Sequence, residues 1–242
     1  METTLITGAG KGIGEQIALK FASENHNLIL LINNKSHKLK LLKQLKKYDI
    51  KVEFFIGDLK SQKFINKLKK NIKRVDNLIN NAAMANKKNF LDISMKEFEL
   101  VLNVNLKSIF KLSQIFAKKM IKNKIKGNII NLSSQLGHIA AYNRSAYIVS
   151  KFGLEGLTKS LAMDLGEYGI RVNTVAPTKT ITNHKELIET KKRLKLILKK
   201  IPLKKFSTAK EIASIVFFLT TDAANSITGT SIISDGGWTL GK

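Results

Sequence analysis

Apolar residues along this chain fall in short runs separated by longer amphipathic stretches rich in lysine. Residues 28–32 (Leu-Ile-Leu-Leu-Ile) are apolar without interruption, which predicts a strand buried on both faces. Residues 3–7, 52–56, 75–79, 127–132 and 169–176 read as further short strands, and the stretch 228–237 supplies the last. Helical periodicity covers 15–23, 61–71, 95–122, the stretch around Tyr147 and Lys151, the basic segment 183–205, and 208–220. Strands that alternate with helices predict an α/β fold. Crossovers of one hand then give a doubly wound, Rossmann-type parallel sheet of about seven strands with helices on both faces. The whole of 1–242 is expected to form a single domain, since no boundary, repeat or low-complexity tail interrupts it. No apolar run approaches the roughly 18 residues of a membrane span.

The first strand runs into Gly8-Ala9-Gly10-Lys11-Gly12-Ile13-Gly14, and a helix follows. Strand, glycine turn and helix open a dinucleotide-binding unit. Gly8 allows the tight turn, and Gly12 and Gly14 let the backbone approach a pyrophosphate at the positive end of the helix. The second strand ends in Asn33-Asn34-Lys35-Ser36, without the acid that would bind the ribose 2′-hydroxyl of NAD and repel the 2′-phosphate of NADP.

Further along stand Ser134, Tyr147 and Lys151 in the order Ser-x12-Tyr-x3-Lys. A spacing of four puts Tyr147 and Lys151 on one helix face, a turn apart. An ammonium beside a phenol favours the phenolate and draws its pKa down from about 10. Such a tyrosine can pass a proton to or from an alcohol oxygen. Ser134, just past an apolar strand, could reach the same oxygen. In a chain this rich in lysine the pair alone could be chance. Its company decides the matter: the glycine loop, Asn80-Asn81-Ala82-Ala83, Asn105, and Pro177 followed by Thr182 all occur in a fixed order.

On these motifs the chain resembles the short-chain dehydrogenase/reductase family over essentially its whole length. The resemblance implies an NAD(P)-dependent oxidoreductase that interconverts a secondary alcohol and a ketone. It implies that Tyr147 donates or takes the proton, that Lys151 lowers the tyrosine pKa and holds the nicotinamide ribose, that Ser134 polarises the carbonyl, and that Asn105 sustains a proton relay through water. It extends the cofactor-binding set to Ile13, Asn33, Asp58, Leu59, Asn81, Ala82, Pro177, Thr180 and Thr182, beside the glycines, Tyr147 and Lys151. Asp58 is equally readable as a helix N-cap. Lys11 sits where relatives that prefer NADP carry a basic residue, and Lys35 is close by. NADP is therefore expected ahead of NAD, although both lysines could be ordinary members of a lysine-rich surface. Ala83 and Thr178 depart from the glycines usual at their positions. Residues 183–205 correspond to the family's mobile substrate lid. A homotetramer or homodimer is implied, built on the helices that carry Asn105 and Tyr147.

Two substrate classes compete. One is a 3-oxoacyl thioester on an acyl carrier protein. Its reductases present arginines, where this chain has Lys124, Lys126 and Tyr168. The other is a sugar acid, polyol or hydroxy acid, for which Gln135, His138 and Arg144 could line a polar pocket, with Arg144 pairing a carboxylate. Arg144 could equally form a surface or interface ion pair, and His138 could be structural.

The formal charge of +24 raises a third possibility, a non-catalytic protein that holds nucleic acid on the same fold. Only four of the 42 basic residues are arginine, and the lysines are spread over many segments. They read better as solvated helix faces, so neither a nucleic-acid nor a membrane partner is expected. Cysteine is absent, which excludes disulfides and thiolate chemistry, and no metal site is expected. The first strand begins so close to Met1 that a signal peptide finds no room, and a cytoplasmic protein is expected.

Overall fold

The computed structural model describes residues 1–180 and 196–241. Its strands are β1 (Thr3–Thr7), β2 (Asn27–Ile32), β3 (Val52–Ile56), β4 (Asn77–Asn80), β5 (Asn128–Leu132), β6 (Arg171–Pro177) and β7 (Ser231–Ser234). They form one parallel sheet in the order β3-β2-β1-β4-β5-β6-β7. The order reverses at β1, so the crevice above β1 and β4 is where such a sheet binds ligands.

Successive side chains of a strand point to opposite faces, and the two cores follow that rule. Leu28, Leu30 and Ile32 of β2 pack with α1 (Gly12–Ser23), α2 (Lys35–Leu45) and the C-terminal helix α7 (Ala209–Phe218). Ile29 and Leu31 pack with α3 (Gln62–Asn71) and α5 (Ser108–Lys122) on the other face. That double burial is why β2 has no polar position after Asn27.

Several boundaries differ from the sequence reading, and four differences change the picture. Helix α1 begins at Gly12 rather than at residue 15, so the glycine motif itself forms the first turn. The fourth strand lies at Asn77–Asn80, with Val75 buried ahead of it. The N-cap before α3 is Ser61, whose Oγ accepts the Phe64 N–H, and not Asp58. Residues 95–122 are not one α-helix: α4 (Met95–Leu102) and α5 are joined by a π turn, Asn103–Lys107. The widened turn carries Asn105, and π turns of this kind recur at functional sites.

The sheet also buries a run of asparagines that propensity alone disfavours. Register sets Asn80 beside Asn131, and Asn80 Nδ2 donates to Asn131 Oδ1 at 2.9 Å. Asn131 Nδ2 then donates to Thr158 Oγ1 at 2.9 Å, on α6 (Ser145–Leu165). Asn131→Ala strands donor and acceptor in a dry layer. It is expected to cost about 1–3 kcal/mol, read as a lower urea midpoint with an unchanged slope.

Candidate active site

The crevice above β1 and β4 is a groove of ≈ 630 Å³ walled by the glycine loop, the ends of β2, β3 and β4, and Val104 of the π turn. Gly8 and Gly12 adopt φ of +65° and +60°, a region that side-chain-bearing residues avoid. Gly14 is excluded from bearing a side chain by space: a Cβ there would lie 2.2 Å from the Gly8 carbonyl oxygen and 2.5 Å from Asn81 Nδ2. Asn81 ties the loop down, its Nδ2 donating to the carbonyls of Thr7 and Gly8 at 3.0 and 3.1 Å. Thr7 Oγ1 in turn accepts the backbone N–H groups of Asn81 and Ala82, each at 2.9 Å.

Lys11 is the N-cap of α1, and no side chain caps that helix, whereas side chains cap α2, α3, α4 and α7. The open N–H groups and the positive helix end therefore face the groove, as an anionic pyrophosphate requires. The cradle thus fits a dinucleotide. Gly8, Lys11, Asn33, Asp58, Leu59, Asn81 and Ala82 line it, while Gly12 and Ile13 form the turn beneath, with Ile13 packed on the core. Asp58 turns its Oδ1 to the Lys60 N–H at 2.9 Å and pairs with the Lys60 ammonium.

Lys35 does not line this groove. It is the exposed first residue of α2, and His37 takes the place at the wall. Gly10 makes room for that ring, since a Cβ at Gly10 would meet His37 Nδ1 at 2.6 Å. The only sequence signal for His37 was the missing side chain at Gly10, which has no meaning until the loop and α2 are folded together.

Beyond the groove, β5 delivers Ser133 and Ser134, and α6 starts one loop later. Ser134 Oγ accepts the Leu136 N–H at 3.1 Å and lies close enough to the Tyr147 phenol to favour its ionised form. Lys151 is 1% exposed, and its Nζ donates to the Leu132 carbonyl at 2.6 Å. The same Nζ lies 5.6 Å from the Tyr147 ring centroid. Burial depresses the Lys151 pKa to about 8 against the pull of the Glu155 carboxylate. Burial also raises Tyr147 above its ordinary value, opposed by the Ser134 hydroxyl and then the Arg144 charge. The free site therefore holds a neutral phenol. Desolvation outweighs the Ser134 and Arg144 contributions, and Lys151 is not among the groups that lower the phenol in this state.

Asn105, fully buried, is held at three points. Its Oδ1 accepts the Met84 N–H at 2.9 Å, and its Nδ2 donates to the Met84 carbonyl at 2.9 Å and Ser150 Oγ at 3.0 Å. Ser150 Oγ donates on to the Tyr147 carbonyl at 2.7 Å, so Asn105 reaches the tyrosine helix through one hydroxyl. At the end of β6, Pro177 and Thr178 are buried, Thr178 Oγ1 has no hydrogen-bond partner among the described residues, and Thr180 Oγ1 donates back to the Thr178 carbonyl. An orphaned hydroxyl at the carboxyl end of a strand is what a ligand amide would satisfy. Thr182 and 183–195 of the expected lid lie outside the described residues. The rest of that segment is pinned to the C-terminal loop, with Ile201 packed near Trp238 and the Leu203 N–H on the Gly236 carbonyl.

The expected polar pocket is only partly assembled. Arg144 donates to the Asn86 carbonyl at 3.1 Å and acts on Tyr147 through its charge. Gln135 keeps a buried Oε1 without a partner among the described residues. His138 instead turns its Nε2 to Ser231 Oγ at 3.0 Å and to Glu155 Oε1 at 3.2 Å. Among the described residues, no group of three or more His, Asp or Glu gathers to hold a metal, and no helix is long and apolar enough to cross a membrane.

Comparison with known proteins agrees with this geometry. A family model described as Enoyl-(Acyl carrier protein) reductase matches residues 8–239. The chain is 37% identical to the 3-oxoacyl-[acyl-carrier-protein] reductase FabG of Buchnera aphidicola subsp. Baizongia pistaciae, covering 98% of each chain. It is 33% identical to carbonyl reductase [NADPH] 2 of Sus scrofa, covering 97% of this chain and 95% of the relative. The solved structure of a 4-hydroxyisoleucine dehydrogenase complexed with NADH superimposes with a TM-score of 0.90 at 32% identity over 100% of both chains. With a doubly wound sheet, a dinucleotide cradle and relatives matched from end to end, this chain belongs to the short-chain dehydrogenase/reductase family and is an NAD(P)-dependent oxidoreductase acting on alcohol and carbonyl groups.

Proposed function

We propose that the protein is an NADPH-preferring reductase of a 3-oxoacyl thioester, working in the cytoplasm, with Tyr147 as its proton donor. The observation that supports it is geometric: Ser134 at the end of β5 and Tyr147 and Lys151 on α6 meet at the carboxyl end of the sheet beside the dinucleotide groove, and the raised Tyr147 pKa leaves its phenol a proton to give to a carbonyl oxygen. Ser134 orients that oxygen. The bound nicotinamide supplies the hydride. Lys151 stabilises the phenolate left behind, and Asn105 and Ser150 brace the first turn of α6 that carries the tyrosine. Gly8, Gly12 and Gly14 would hold the pyrophosphate, Asp58 and Leu59 the adenine side, and Pro177, Thr180 and Thr182 the carboxamide. The full-length likeness to an acyl-carrier-protein reductase supports the substrate, and an acidic carrier would be steered by a surface of this charge.

Arg144 favours a second reading, a hydroxy-acid or sugar-acid dehydrogenase. Its guanidinium acts on Tyr147 from the start of α6, where a substrate carboxylate could pair with it. A cofactor-consumption screen separates the two. Acetoacetyl thioester reduced with NADPH supports the first, and oxidation of a sugar acid or hydroxy acid with NADP or NAD transfers the assignment to the second.

NADP preference rests on Lys11 at the groove and on the uncharged Asn33 and Asn34. Lys11→Ala is expected to weaken NADPH binding about tenfold, the scale of one charge-assisted hydrogen bond, and to leave NADH unchanged by fluorescence titration. Equal losses for both would remove the preference. The chain is also proposed to assemble as a homotetramer or homodimer through α5 and α6. Phe110 and Phe152 there are each about half exposed, beside a hollow lined by Leu106, Phe110, Gly153 and Leu157.

A further inference from the structure

The groove and the tyrosine do not account for one buried acid. Glu155 lies one helical turn beyond Lys151 on α6 and is 9% exposed. Buried carboxylates are rare unless they are paired. Three elements converge on this one. Thr174 of β6 donates to Oε2 at 2.8 Å, and Ser231 of β7 donates to Oε1 at 3.3 Å. His138, from the loop between β5 and α6, approaches Oε1 at 3.2 Å. Gly137 lets that loop close, since a Cβ there would lie 3.2 Å from Glu155 Cγ and from the Lys151 carbonyl. Two hydroxyl donors and the adjacent imidazole hold the carboxylate in place.

We propose that Glu155 is a positioning residue: its anchored carboxylate holds the neighbouring Lys151 ammonium in its charged form inside the site. This rests on the role of Lys151 proposed above. The physical need is plain. Lys151 is fully buried, and among the described residues its ammonium donates to the neutral Leu132 carbonyl alone. Burial drives a lysine toward the uncharged amine, which could no longer stabilise a phenolate. Among the described residues, Glu155, one turn along the same helix, is the charge that opposes this. The other groups facing the pair are few. Beside His138, Thr174 and Ser231 bring hydroxyls, the π turn brings the uncharged Asn105 through Ser150, and Arg144 acts on Tyr147 rather than on Lys151.

The test has two readouts on the full-length protein. The first is the titration of the Lys151 ε-carbon by NMR, which needs no turnover. The second is the alkaline limb of the kcat/KM profile for carbonyl reduction. Glu155→Gln is expected to move both toward lower pH by about one unit or more, with the rate well below neutral pH close to wild type. Glu155→Asp, which keeps the charge, should return both most of the way. Should Glu155→Gln fail to fold, His138→Lys sets a permanent cation against the carboxylate from the more exposed edge, and both readouts should move the same way. A titration and limb that coincide with wild type, or a rate lowered equally at every pH, would overturn the proposal. The two readings fail separately: a Tyr147→Phe enzyme that still turns over refutes the catalytic assignment, whereas the NMR titration tests the Glu155–Lys151 coupling regardless.

Discussion

Tyr147→Phe is expected to lower kcat by about 10²–10⁴-fold, the contribution of a positioned general acid. The substitution removes one oxygen and leaves the ring, which is only partly exposed at the start of α6. The glycine cradle is untouched, so dinucleotide dissociation constants should stay within about twofold of wild type, well under 1 kcal/mol. Such a pattern, a collapse in kcat with binding retained, marks an interaction made in the transition state. A variant with near-normal turnover would remove Tyr147 from the chemistry and leave Ser134 as the remaining hydroxyl there. The pH dependence has a sign as well. Burial raises the Tyr147 pKa, so the proton needed for reduction is present at neutral pH and lost only in alkali. Oxidation, which needs the phenolate, should rise with pH until Lys151 loses its proton, at about 8.

Gly14→Ala is expected to have the next largest effect, on cofactor affinity and stability together. The new methyl would sit 2.2 Å from the Gly8 carbonyl oxygen, a backbone atom, and 2.5 Å from Asn81 Nδ2, which ties the loop to β4. Neither can yield without opening the turn, because Gly8 is held at φ +65°. Overpacking of this kind costs about 1–3 kcal/mol, and each kcal/mol lowers the Tm of a chain this size by about 2–4 °C. The displaced loop also misplaces the open end of α1, so dinucleotide affinity should fall more than about tenfold, a loss above roughly 1.4 kcal/mol. Gly156→Ala, whose Cβ meets nothing within 4 Å, serves as the control and should leave affinity unchanged. Equal affinities in the two variants would mean that the turn is looser than its geometry indicates.

What could be read from the residues alone follows a physical division. Local spacing sets local geometry, so the strand, glycine turn and helix at 3–23, and the one-turn separation of Tyr147 and Lys151, were legible from periodicity and the steric freedom of glycine. The apolar run at 28–32 likewise announced a strand buried twice over. Where one residue carried two readings, the chain alone did not choose: Asp58 could be an adenine contact or an N-cap, and the fold gave the cap to Ser61. The π turn around Asn105 was hidden, because nothing in the order of side chains marks one widened turn inside a helical stretch.

Contacts between distant segments belonged to the tertiary structure alone. His37 became part of the groove wall only when α2 closed over Gly10, and Lys35, two residues away, was turned outward. His138 could be read as a pocket residue or as a structural one, and the fold sets it between Ser231 of β7 and Glu155 of α6. The charge state of the site shows the same division. Spacing put a lysine beside a tyrosine and so favoured a phenolate, but pKa values are set by solvent access as much as by neighbours. Solvent access is decided by the packing of the whole sheet and its helices, and here it keeps the phenol neutral while leaving the lysine dependent on a carboxylate one turn away.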